Sequence, residues 1–154
     1  TRIAKLKNQE FDAIVLSLAG IQMLNLDNEI KEIFTIEQML PALCQGTIAL
    51  QCKKHDKKTL DILKLINHAE TYYCIQAERA VLEAIGGDCD TAIGGLAKLS
   101  NEKIFLKTEL FSNDGSKKFE FQISGHFKEA KEIGHKAGQE LLKKAGSDFT
   151  IKGN

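Results

Sequence analysis

The sequence predicts an α+β fold: a C-terminal three-stranded antiparallel sheet with helices on one face, preceded by part of an α/β body. Three observations carry this. Ile104, Leu106, Thr108 and Leu110 alternate with Phe105, Lys107, Glu109 and Phe111, and Phe119, Phe121 and Ile123 alternate with Glu120, Gln122 and Ser124, the period of half-buried strands. Ser112-Asn113-Asp114-Gly115-Ser116 between them is a turn signal, so the pair reads as an antiparallel hairpin. Helical patterns bracket it, from about Glu70 to Ile85 and from Phe127 onward.

In chain order, Arg2–Lys7 fits the end of a short helix, with Ile3 and Leu6 apolar between polar neighbours. Phe11 to Leu18 is continuous and apolar, the pattern of a strand buried on both faces, ended by Ala19-Gly20. Ile21 to Leu26 could add a helical turn, Asp27 to Phe34 reads as a surface connection, and Thr35–Met39 as a capped turn before Pro41. Thr47–Cys52 is a second strand candidate. Asp56 can cap a helix carrying Leu60, Leu63 and Ile66 on one face. The helix up to Ile85 carries Tyr73, Ala77, Ala80, Val81 and Ala84 on its inner stripe. Ala97-Lys98-Leu99 adds a third strand through the Ser100-Asn101-Glu102 turn, and the last helix sets Ala130, Ile133, Ala137, Leu141 and Ala145 on one face, closed by Gly146. The boundary falls near Asn67-His68, giving domains 1–67 and 68–154.

With 154 residues and 43% hydrophobic content the chain can bury a core. Lys+Arg and Asp+Glu both number 21, so no overall field favours nucleic acid or an anionic membrane. The run Ala13 to Met23 is too short to span a bilayer. Cys44, Cys52, Cys74 and Cys89 are widely spread with no signal peptide before them, which points to a reducing cytoplasm. The sequence opens on Thr1 inside a helical pattern and reads as a piece of something longer.

The chemistry centres on Ile85-Gly86-Gly87-Asp88-Cys89-Asp90-Thr91-Ala92-Ile93-Gly94-Gly95, a shaped loop between helix and strand around one thiol. Gly86-Gly87 is expected to stop the helix as a left-handed cap. Cys89 reads either as a reactive or modified thiol or as a plain loop thiol. Cys52-Lys53-Lys54-His55 has a zinc-like spacing, but no second pair follows and no metal is expected. His68, His126 and His135 stand among polar neighbours as surface residues. The paired glycines do not reproduce a phosphate-binding loop.

Several segments, in order, resemble the porphobilinogen deaminase (hydroxymethylbilane synthase) family: Thr1-Arg2-Ile3-Ala4-Lys5-Leu6, Phe11-Asp12-Ala13-Ile14-Val15-Leu16 with Ala19-Gly20, Leu40-Pro41-Ala42 with Gln45-Gly46, Ala77-Glu78-Arg79-Ala80, and Gly87-Asp88-Cys89 with Ile93-Gly94. The resemblance implies a three-domain cytoplasmic transferase of tetrapyrrole and haem biosynthesis. Two α/β, periplasmic-binding-protein-like domains flank a cleft, and a smaller α+β domain presents a loop cysteine to it. Residues 1–67 would be the tail of domain 2 with the return strand and helix of domain 1, and the N-terminal domains of the same enzyme would be the missing partners.

The same resemblance implies that Cys89 carries a dipyrromethane cofactor through a thioether, and that porphobilinogen is the substrate, four units being added with loss of ammonia to give hydroxymethylbilane. Arg2 would bind the cofactor's carboxylates, and Gln45 would either contact the cofactor or serve as an interdomain hinge residue. The catalytic aspartate belongs to the absent part, so no catalytic residue is assigned here, and this fragment alone is expected to be inactive. Arg79 is expected to be an ion-pair partner holding its helix. The chain departs from the family at Met23, where a basic residue is usual, at Cys44 and Asp88, where glycine is common, and at Asp90-Thr91-Ala92; Asp88 and Asp90 would raise the thiol pKa. The alternative is a non-enzymatic α+β binding or interaction module with an unmodified loop thiol.

Overall fold

A computed structural model describes residues 1–88 and 90–150. The chain divides into two compact units, Thr1–Gln38 and Met39–Asn154. In the first, helices α1 (Arg2–Lys7) and α2 (Leu18–Met23) and a 3₁₀ turn (Asp27–Glu29) surround little core. Ile21 is buried, whereas Phe11, Val15, Met23 and Leu24 are exposed. Thr35 and Gln38 form a reciprocal cap: the Thr35 N–H donates to Gln38 Oε1 and the Gln38 N–H to Thr35 Oγ1.

The strand expected over Phe11–Leu18 is not formed, and Leu18 instead begins α2. Nor is Thr47–Cys52 a strand; Ile48 and Leu50 are exposed. A continuous apolar run encodes burial on two faces, but a strand also needs neighbours to take its N–H and C=O groups. Among the described residues neither segment has them.

The second unit holds the sheet. Helix α3 (Lys57–Ile66) starts where expected, with the Thr59 N–H donating to Asp56 Oδ1. Its apolar face is not buried: Ile66 is exposed and Leu60 and Leu63 are half-buried. Helix α4 (Ala69–Ile85) is capped by His68, whose Nδ1 accepts from the Thr71 N–H. Three antiparallel strands follow in the order β1 (Ile93–Ser100), β2 (Lys103–Phe111) and β3 (Lys118–His126). The register sets Ala97 beside Leu106 and Leu106 beside Ile123. Ile104, Leu106, Thr108 and Leu110 are therefore buried on one face, while Phe105 points to solvent.

Asn101 and Glu102 close the first hairpin with both φ positive, at 48° and 62°, the sign that matches strand twist. In the second turn Asp114 Oδ1 accepts from the Ser112 hydroxyl, the Ser116 N–H and the Ser116 hydroxyl. Helix α5 (Ala130–Ala145), entered through a 3₁₀ turn at Phe127–Glu129, buries the five residues its pattern placed on one face. Both α4 and α5 pack on the buried face of the sheet and on each other.

That helix pair approaches closely because α5 has no side chain at Gly134 and Gly138. A Cβ at Gly134 would lie 2.0 Å from the Ala77 carbonyl oxygen, and one at Gly138 would lie 2.7 Å from Ala84 Cβ. Gly134→Ala is thus expected to force the helices apart and cost about 1–3 kcal/mol, read as a lower urea midpoint; an unchanged midpoint would refute the close approach. Asp114 supplies the pH dependence. Its three donors hold its carboxyl down from 3.8 to about 2. Between those values the unfolded chain binds more protons than the folded one, so the turn's contribution is full above the upper value and is lost as pH falls through about 2. A carboxyl titration followed by NMR should place the Asp114 midpoint near 2, and Asp114→Asn should flatten acid stability in that window.

Candidate functional site

The loop that follows α4 is built by its cap. Gly86 takes φ 71°, the Gly86 N–H donates to the Glu83 carbonyl and the Gly87 N–H to the Leu82 carbonyl, the paired bonds of a Schellman end. Asp88 then turns its carboxylate inward on the loop. Its Oδ1 accepts from the Asp90 N–H at 2.9 Å and from the Thr91 hydroxyl, while its own N–H donates to Thr91 Oγ1. Asp88 and Asp90 are exposed. Cys89 lies outside the described residues, so the thiol on which the sequence argument turned is framed here by its neighbours.

Beyond the loop, Ile93-Gly94-Gly95 is strand and not the loop its glycines suggested. The absence of side chains lets another segment press against the edge of β1. A Cβ on Gly95 would lie 2.5 Å from Leu43 Cδ2, and one on Gly94 would lie 3.1 Å from Leu40 Cβ. Ala42 forms a bridge with Gly94, and the Gly95 N–H donates to the Pro41 carbonyl. The free edge of β1 is covered along its length: Ile93 N–H meets the Thr91 carbonyl, Gly95 N–H meets Pro41, and Ala97 N–H meets Glu78.

Glu78 is the residue that sequence reasoning passed over. It sits on the inner face of α4 and is 4% exposed. Its Oε1 accepts from the Ala97 N–H at 2.8 Å and its Oε2 from the Cys44 N–H at 2.6 Å. Burial raises its pKa, against the opposing pull of these two donors. The available signal was an acidic residue at an inner-stripe position beside Ala77 and Val81. Gln45, Thr47, His68, Thr71, Cys74 and Glu78, with β1 residues, line an open cleft of about 240 Å³. Glu78 and Gly86 are separated by about 12 Å of helix, so cleft and loop occupy different parts of α4.

Arg2 is exposed on α1 in the first unit, and Gln45 is exposed at the cleft in the second. Arg79, expected to form an ion pair, has none among the described residues; it is exposed, and its charge lowers the Cys44 pKa. The Cys44 thiol is raised first by burial and then by Glu78, and Cys74 is raised by the same two causes against a Leu99 N–H. Both thiols are held protonated and suit nucleophilic attack poorly. Two histidines cap local structure, His68 and His126 accepting backbone N–H groups at helical starts, and His135 lies 3.9 Å from Glu83. Among the described residues no cluster of His, Cys, Asp or Glu could hold a metal, and no helix is long and apolar enough to cross a membrane.

Cys44 adopts φ +65°, a left-handed conformation that suits glycine. Cys44→Gly is accordingly expected to keep or raise stability by up to about 1 kcal/mol, whereas Cys44→Val should lower it by about 1–2 kcal/mol. Equal denaturation midpoints for the two variants would remove the strain.

Residues 1–61 match the family model described as porphobilinogen deaminase, dipyromethane cofactor binding domain, and residues 72–143 match porphobilinogen deaminase, C-terminal domain. The porphobilinogen deaminases of Coxiella burnetii strains CbuG_Q212 and RSA 493 are each 39% identical over 149 residues, 97% of this chain and 48% of theirs. The relative from strain Dugway 5J108-111 is 38% identical over the same length. The chain spans about half the length of these relatives. Two adjoining family matches and a likeness carried across nearly its whole length place the chain in the porphobilinogen deaminase family.

Proposed function

We propose that this chain is the cofactor-bearing part of a cytoplasmic transferase that polymerises four porphobilinogen units, with loss of ammonia, to hydroxymethylbilane in tetrapyrrole and haem biosynthesis. The observation that carries this reading is the 39% identity across 97% of the chain to proteins named porphobilinogen deaminase. Its natural division is 1–67, belonging to α/β, periplasmic-binding-protein-like domains, and 68–154, the α+β domain; the two family matches, ending at 61 and resuming at 72, support that division. Its partner is the remaining half of the same enzyme, and its ligands are small molecules rather than nucleic acid or membrane. The exposed Phe11, Val15, Ile48 and Leu50, in segments that lack strand neighbours, support such a partner.

The residues fit a dipyrromethane cofactor by their chemistry. When bound, that group supplies the primer to which pyrrole units are added. Cys89 would hold it through a thioether, a linkage that resists hydrolysis and so keeps the primer in place through repeated turnovers. Gly86 and its Schellman end stop α4 just before that thiol. Asp88 directs one carboxylate oxygen to the Asp90 N–H and the Thr91 hydroxyl, so that oxygen is already engaged within the loop. Arg2, exposed on α1, would pair with acetate or propionate groups through its planar fork of donors. Gln45 would add a neutral amide contact. No residue of this chain is assigned the proton-transfer role of the catalytic aspartate.

The test uses the chain joined to the part of the Coxiella burnetii relative that it does not match, made in a haem-synthesising host. Intact mass and peptide mapping should show an adduct of dipyrromethane size confined to the Cys89 peptide, and Cys89→Ser should lack both adduct and porphobilinogen consumption. The chain by itself should consume none. An unmodified Cys89 in a joined protein that consumes porphobilinogen would overturn the assignment, as would turnover by the chain alone.

A further inference from the structure

The Leu40–Gly46 segment is fixed to the sheet edge at its start by backbone, through Pro41 and Ala42, and farther on by one side chain, through the bond from Cys44 N–H to Glu78 Oε2. The turn beyond Leu43 is unusual in its backbone, with Cys44 at φ +65° and Gly46 at φ +80°. A non-glycine residue keeps such a conformation only where its surroundings over-determine it. Glu78 supplies that constraint from 34 residues away, with its second oxygen held by Ala97 so that the carboxylate cannot swing out. Gln45, the next residue, lines the same cleft as Glu78.

We propose that Glu78 is a positioning residue: by clasping the Cys44 and Ala97 amides it fixes the Cys44–Gly46 turn and thereby aims Gln45 at the bound pyrrole chain. This rests on the reading above in which Gln45 contacts the cofactor. A buried carboxylate is a costly acceptor for two amides, because desolvation opposes its charge. What it provides over a single neutral acceptor is a fixed distance between two backbone segments. In Glu78→Gln one oxygen becomes an NH₂ group, so a donor would face one of the two amides and the clasp would open on one side.

The experiment is a double-mutant cycle in the joined protein, with rates of porphobilinogen consumption expressed per cofactor-loaded molecule so that unfolded protein does not count. Gln45→Ala and Glu78→Gln should each lower kcat/KM by about tenfold with the same split between kcat and KM, and the double variant should fall no further than about tenfold. A double loss near 100-fold, or a Glu78→Gln loss with Gln45→Ala silent, would overturn the proposal. Should Glu78→Gln fail to fold, amide hydrogen exchange in the unaltered protein decides the clasp: Cys44 and Ala97 should be protected to a similar degree, and a freely exchanging Cys44 amide would end the idea. If the unaltered joined protein consumes no porphobilinogen, the functional reading fails, and the exchange measurement still decides the clasp.

Discussion

One carboxylate ties together three segments of the larger unit that lie apart in sequence. Glu78 receives amides from residues 19 and 34 positions away, one on the edge strand β1 and one in the turn after Pro41. The constraint behind it is the edge itself. An outer strand leaves every second N–H without a partner, and those groups must be covered by something. Here a loop carbonyl, a proline carbonyl and a buried acid share the task, and in doing so they attach the Leu40–Gln45 segment to the sheet.

Around that edge the two helices pack closely on each other and on the sheet. Gly134 and Gly138 let α5 lie against α4 almost at backbone contact, so that alanines fill most of the seam. Larger residues such as Ile104, Leu106, Leu110 and Leu141 fill the space toward the sheet. A helix fixed on two sides is a firm support for whatever follows its end. The Gly86 cap stops α4 sharply, and Asp88 bonds to Asp90 and Thr91 before β1 begins.

The smaller unit follows a different logic. With Ile21 as its single buried apolar residue, it cannot offset the conformational entropy of ordering its chain by burial alone. Its apolar side chains, and those of the segment around Ile48, have the composition of an interior without an interior around them.

The sequence by itself determined the α+β character of residues 69–145. Half-buried strands and amphipathic helices write their period directly into residue order, as Ile104–Leu110 and Ala130–Ala145 do, and Asp56, Gly86 and Asp114 act within a few residues of their own positions. Tertiary structure decided what depends on neighbours distant in the chain. Phe11–Leu18 carried the composition of a strand but not its partners. Gly94 and Gly95 resembled a loop because the segment that needed their missing side chains lies more than fifty residues earlier. The role of Glu78 was decided there too, because periodicity records where a side chain points, and not which amides wait there to receive it.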